Sequence, residues 1–188
     1  MSLTDQRVLC LLFDGVEELE LVAPVDLLRR AGLHVTLASL STPTVIGRNG
    51  IAIAADALID ALDISTFDVL LIPGGPGIAA VRAEGRAASF AAEFAEHGKW
   101  IAAICAAPLV LHDAKLLEGK NFCAHGSTHE LLPNSNSQAV VIDGRMVTSM
   151  GAGTAIEFGL ALIEQLLDQD AAAEVARAIH WQSPNFLT

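Results

Sequence analysis

Short apolar runs alternate along this chain with stretches whose apolar residues recur at helical spacing. Arg7 to Phe13 is the first run, closed by Asp14-Gly15, and predicts a buried strand followed by a turn. Glu17 to Ala31 then carries Leu19, Val22, Leu27 and Leu28 where a helix would turn them to the core, with Gly32 as a C-cap. His34 to Leu40 alternates as a second strand. Pro43, Gly47 and Asn49-Gly50, set among β-type residues in Ser41 to Ala54, predict a hairpin, and Asp56 to Leu62 a short helix. Val69 to Ile72 reads as another buried strand and runs directly into Pro73-Gly74-Gly75-Pro76-Gly77. Helices are expected over Ile78 to Arg82 and Arg86 to His97, the second ended by Gly98.

The next unit is a strand from Trp100 to Ile104, then Cys105, then a helix from Ala106 to Ala114. Asn121 to Ala124 is expected as a short strand, and a polar loop follows from His125 to Gln138. Ala139 to Ile142 and Met146 to Ser149 pair around Asp143-Gly144. Gly151-Ala152-Gly153-Thr154 opens an amphipathic helix to Leu167, and Asp170 to His180 is the last helix. Strands alternating with helices in this way predict a mostly parallel sheet covered on both faces, an α/β sandwich.

Composition narrows the function. With 188 residues, 52% hydrophobic and 18% charged, the chain suits one compact domain over residues 1–188. A net charge of −11 and eleven Lys and Arg without a basic stripe make direct nucleic-acid binding unfavourable, so a small molecule or another protein is the expected partner. Three widely spaced cysteines, Cys10, Cys105 and Cys123, form neither a disulfide framework nor a zinc cluster. Together with the absence of a signal-peptide pattern and of a membrane-length apolar run, they point to a reducing, cytoplasmic setting.

Cys105 carries the candidate chemistry. A thiol at a strand-to-helix junction meets free N–H groups and the positive end of a helix dipole, which favour the thiolate, and AAICAAP has the shape of a nucleophile elbow. A small buried hydrophobe is the alternative for a lone cysteine among alanines. Glu20 lies inside the first helix between Leu19 and Leu21, where an apolar setting would keep it protonated and able to donate to the thiolate; the alternative is a solvated partner of the helix dipole, usual for a Glu in a first turn, and Glu17 and Glu18 fit that alternative better. His125 follows a strand and is a candidate general base or carbonyl polariser, or simply a loop histidine. His129 is four residues further on, but no third ligand lies nearby and a metal site is not expected. Gly74 and Gly75 can supply N–H groups to an oxyanion, and their loop is neither a P-loop nor a dinucleotide fingerprint. All these features follow strand ends, where open α/β sheets bind ligands.

Four segments in order, DGVEELELVAPVDLLRRAG (Asp14 to Gly32), DVLLIPGGPG (Asp68 to Gly77), AAICAAP (Ala102 to Pro108) and TSMGAGTAIEFGLALIE (Thr148 to Glu164), resemble the ThiJ/PfpI superfamily, in the branch of the Parkinsonism-associated deglycase and its bacterial relatives. The resemblance implies a flavodoxin-like three-layer sandwich, a homodimer, and a nucleophile at Cys105 with Glu20 as acidic partner and Gly75 and Ala106 as oxyanion donors. It also implies a histidine role at His125 and places Glu17, Arg30 and Arg48 near the dimer interface and pocket rim. Protease-like members carry His directly after the nucleophile, where this chain has Ala106, so a peptidase is disfavoured. The implied activity is cofactor-independent, glyoxalase or deglycase chemistry on methylglyoxal, glyoxal or their early adducts. The competing expectation is a redox sensor or stress chaperone that oxidises Cys105.

Overall fold

Nine strands and six α-helices alternate in the computed structural model, which describes residues 6–182. β1 (Arg7–Leu12), β2 (His34–Ser39), β5 (Ala57–Leu58), β6 (Val69–Ile72), β7 (Trp100–Ile104), β8 (Val140–Asp143) and β9 (Met146–Ser149) form one sheet in the order β5-β2-β1-β6-β7-β9-β8. Every neighbouring pair is parallel except β8 with β9. Val8 to Leu12 and all of β6 are fully buried, as strands covered on both faces require. β3 (Thr44–Ile46) and β4 (Ala52–Ala54) make the separate antiparallel hairpin that the turn residues predict.

α1 (Glu18–Arg30), α5 (Ala155–Leu166) and α6 (Gln169–Ala178) pack together on one side, and α2 (Ile78–Glu84), α3 (Arg86–Glu96) and α4 (Pro108–Asp113) on the other. The result is the expected flavodoxin-like three-layer α/β sandwich. Gly159 lets α1 and α5 approach closely, since a Cβ there would lie 2.7 Å from Leu27 Cδ1 and 3.1 Å from Pro24 Cα. Among the described residues no helix is long and apolar enough to cross a membrane.

Four local expectations are corrected. The inner face of α1 is Leu21, Pro24, Val25, Leu27 and Leu28 together with Glu20, whereas Leu19 and Val22 are 60% and 54% exposed. A carboxyl occupies one core-facing position, so a search for apolar residues alone puts the helix in the wrong phase. Asp56 to Leu62 holds the two-residue strand β5 and one 3-10 turn, because Asp56 is drawn to the Leu37 N–H and Arg29. The segment from Asn121 to Ala124 contributes only an isolated bridge between Cys123 and Asn136. α4 begins at Pro108 rather than Ala106, since Cys105 to Ala107 form a turn.

Candidate active site

β1, β6 and β7 end side by side, and strand order reverses between β1 and β6, which opens a crevice at their carboxyl ends. Cys105 stands directly after β7 with a left-handed φ of 66°, a conformation that costs a non-glycine residue about 1–3 kcal/mol. Its neighbours hold it there. The Cys105 N–H donates to the Ser149 carbonyl at 2.8 Å, its carbonyl accepts the His125 N–H at 2.8 Å, and the turn closes from the Ala107 N–H to the Ile104 carbonyl at 3.0 Å. The backbone N–H groups of Ala106 and Gly75 lie near enough to the sulfur to favour its charged form.

Glu20 reaches the same point from the first turn of α1. Its Oε2 accepts the Gly74 N–H at 3.0 Å, and the Cys105 side chain and the Ala152 N–H lie near enough to favour its charged form. A Cβ on Gly74 would lie 2.6 Å from Glu20 Oε2 and 2.7 Å from Cys105 Cβ, so only glycine fits between them. A methyl group placed on Gly151 would lie 3.5 Å from His125 Cδ2, 3.7 Å from Glu20 Oε1 and 3.9 Å from Cys105 Sγ. Three reactive side chains thus surround one small volume.

Burial is the largest influence on both acids. It carries the Glu20 carboxyl up to about 7, against the hydrogen bond to Cys105 and with added repulsion from Glu17. Burial, then the charge and hydrogen bond of Glu20, push the Cys105 thiol up to about 12 against the Gly75 and Ala106 N–H groups. The expected contribution of the helix dipole is therefore small: α4 is six residues long and begins three positions after Cys105. Ionising either group penalises the other, so the pair does not carry two negative charges at neutral pH. With the proton on Glu20, the carboxyl no longer repels a thiolate and donates to it instead.

Glu17 and Glu18 are not the solvated residues that their place in the sequence implies. Both are buried, and Glu18 accepts the Asn49 N–H at 2.7 Å and the Asn49 side-chain amide at 2.8 Å. Burial pushes the Glu18 carboxyl up, but hydrogen bonds from its own backbone, Asn49 and Ile51 outweigh it and hold the group below its ordinary value. Arg48 Nη1 lies 3.2 Å from Glu17 Oε2 in the same chain, at the rim of the crevice. Arg30 does not join them. It pairs with Asp26 at the far end of α1, about 15 Å along the helix from Glu20 at 1.5 Å per residue. The Gly74 N–H is committed to Glu20 and is not free for an oxyanion.

A cavity of about 500 Å³ opens over Cys105, Glu20 and His125, with Arg48, Arg82 and Leu109 in its wall. Arg82 is held by a two-point pair with Asp113, at 2.7 and 2.8 Å. Among the described residues no three His, Cys, Asp or Glu side chains are grouped to hold a metal ion. Residues 6–165 match the DJ-1/PfpI family. The chain belongs to that family. It is 38% identical over 183 residues to protein DJ-1 homolog A of Arabidopsis thaliana, spanning 94% of this chain and about half, 47%, of that longer protein. It is 31% identical over 151 residues to a deglycase of Thermococcus kodakarensis, covering 78% of this chain and 91% of that one. The solved structure of oxidized DJ-1 from Toxoplasma gondii superposes with a TM-score of 0.88 at 34% identity, over 94% of this chain and 98% of the other.

Four further residues of this DJ-1/PfpI site escape a reading of the sequence. Asn49 gives only a turn signal there, yet it clasps Glu18; Ala152, within the GAGT turn, lines the cavity beside Glu20 and favours its charged form; Arg82 and Ser127 line the cavity without any motif to mark them. The signal for Ala152 is the glycine-rich turn, which Thr154 Oγ1 shapes by bonding the Gly151 N–H and carbonyl at 3.2 and 2.9 Å.

Proposed function

We propose that this DJ-1/PfpI protein is a cysteine-dependent, cofactor-independent enzyme acting on reactive dicarbonyls, methylglyoxal or glyoxal, or on their early adducts with amines and thiols. The observation that carries the reading is the cavity of about 500 Å³ over the Cys105–Glu20 pair, which admits a three-carbon substrate and not peroxide alone. The deglycase among its relatives supports the same reading. In this mechanism the Cys105 sulfur attacks the aldehyde carbon, the carbonyl π pair moves to oxygen, and the Glu20 proton follows it to give a hemithioacetal. Glu20, now a carboxylate, takes the C1 proton and the freed pair forms an enediolate with the C2 carbonyl; Glu20 returns that proton to C2 while the C1 hydroxyl passes its proton to the C2 oxygen, which leaves a thioester. Water cleaves that thioester and releases lactate with the thiol restored. Each proton Glu20 gives is regained, so the net reaction is methylglyoxal plus water to lactate.

A redox role for Cys105 is favoured by a different detail. The Gly75 and Ala106 N–H groups favour negative charge at the sulfur, and would favour it likewise on the oxygens of a sulfinate. Lactate production from methylglyoxal by wild type, Cys105→Ala and Glu20→Gln, with trace metals and glutathione excluded, separates the two. Turnover lost in both variants supports the enzyme; no turnover in wild type, with stoichiometric oxidation of Cys105 by peroxide, supports the sensor.

The homodimer is proposed on Leu19, Val22, Ile46 and Ile51, all at least half exposed, on α1 and the β3–β4 hairpin. Leu21 and Val25, the other apolar residues of this part of α1, are buried within the chain and take no part in the patch. The Glu17–Arg48 contact forms within one chain and not across a boundary.

A further inference from the structure

His125 is tied to the site at two places. Its backbone N–H donates to the Cys105 carbonyl, and its ring Nδ1 meets Ser127 twice, the Ser127 backbone N–H at 3.2 Å and the hydroxyl at 2.8 Å. A backbone N–H can only donate. Nδ1 must therefore present its lone pair, the Ser127 hydroxyl donates to it as well, and the proton of the neutral ring resides on Nε2. Cδ2, the ring atom next to Nε2, lies 3.5 Å from the methyl position over Gly151 that Glu20 Oε1 and Cys105 Sγ also face. The Cδ2–Nε2 edge is the one turned to the reacting centre.

We infer that Ser127 is a positioning residue that holds His125 with its proton on Nε2, so that His125 acts as a hydrogen-bond donor to the oxygen of a carbonyl under attack and not as a general base. The inference rests on the dicarbonyl reading for the identity of that carbonyl. As the Cys105 electron pair forms the C–S bond, the π pair becomes an oxygen lone pair. The Nε2–H bonds that oxygen without leaving the ring, and the proton that neutralises it comes from Glu20. The site has room for such a donor, since the Gly74 N–H, one of the expected oxyanion donors, is spent on Glu20.

The test is nitrogen-15 NMR of histidine-labelled protein above neutral pH, with His125 assigned by the signals lost in His125→Gln. The expected spectrum has a protonated Nε2 and a bare Nδ1, and Ser127→Asp, whose carboxylate accepts from Nδ1, moves the proton to Nδ1. Turnover of methylglyoxal supplies the second readout. His125→Gln keeps an N–H donor but no base and stays within about tenfold of wild type, while His125→Ala loses about 10²-fold, the usual effect of deleting an oxyanion donor. A wild-type ring protonated on Nδ1, or a glutamine variant as inactive as the alanine one, overturns the inference. If wild type forms no lactate, the dicarbonyl reading falls, and the tautomer still decides what Ser127 does.

Discussion

The Gly74 N–H reaches Glu20 Oε2 at 3.0 Å across 54 positions of sequence, and this bond aims the carboxyl of α1 at the thiol that ends β7. Glycine is required on its side of the contact. A methyl group there would enter the space between Glu20 and Cys105, so Gly74→Ala is expected to cost about 1–3 kcal/mol of stability through overpacking. Methylglyoxal turnover should fall by more than that loss of folded protein explains. Denaturant melts beside specific activity per folded molecule check both.

Glu20 makes the protein less stable as pH rises. Its carboxyl titrates at about 7 when folded, above its value of 4.5 when exposed, so the folded state binds the proton more tightly. The corresponding stability is fully present below about pH 4.5 and is lost as pH rises through about 7. Glu20→Gln removes that loss. The variant should therefore gain on wild type progressively between these pH values, by a few kcal/mol at most by linkage, in thermal melts taken as a pH series.

Glu17 is one reason that Glu20 is hard to ionise, after burial itself. Glu17→Gln removes that repulsion, and the Glu20 carboxyl should then titrate at a lower pH. Carbon-13 NMR of the Glu20 carboxyl detects the change, and an unchanged midpoint would show that burial alone sets it.

Cys105 should be the first thiol oxidised by dilute peroxide. Burial raises all three thiols, but Cys10 and Cys123 are closed off from solvent, whereas Cys105 opens on the cavity where peroxide can reach it. Peptide mapping after brief exposure should find the added oxygens on Cys105, and oxidation first at Cys10 or Cys123 would contradict the site.

The patch of Leu19, Val22, Ile46 and Ile51 is expected to pair two copies. Sedimentation at micromolar concentration should give twice the chain mass, and Leu19→Glu with Val22→Arg should give the monomer without loss of helix content. Dimers that survive both substitutions would move the interface elsewhere.

Runs of Val, Leu and Ile were enough to locate β1, β6 and β7, and with them the position of Cys105 at the end of a strand, because strand burial leaves its mark on consecutive residues. The turn residues of the β3–β4 hairpin and the glycines before α5 were equally local signals. The phase of α1 was not, since Glu20 occupies a place in the buried stripe where the pattern calls for an apolar residue. Likewise Asn49 and Glu18, 31 positions apart, meet only because the hairpin folds onto the first turn of α1. The pKa values of Glu20 and Cys105 follow from desolvation and from each other's charge, and both depend on which segments enclose them. The sequence by itself determined the α/β architecture and the family, and singled out Cys105 and Glu20 as candidates; the tertiary structure decided that these two lie together, the closed contacts of Glu17 and Glu18, and the contacts of the His125 ring, because these arise from distances between segments that no local pattern encodes.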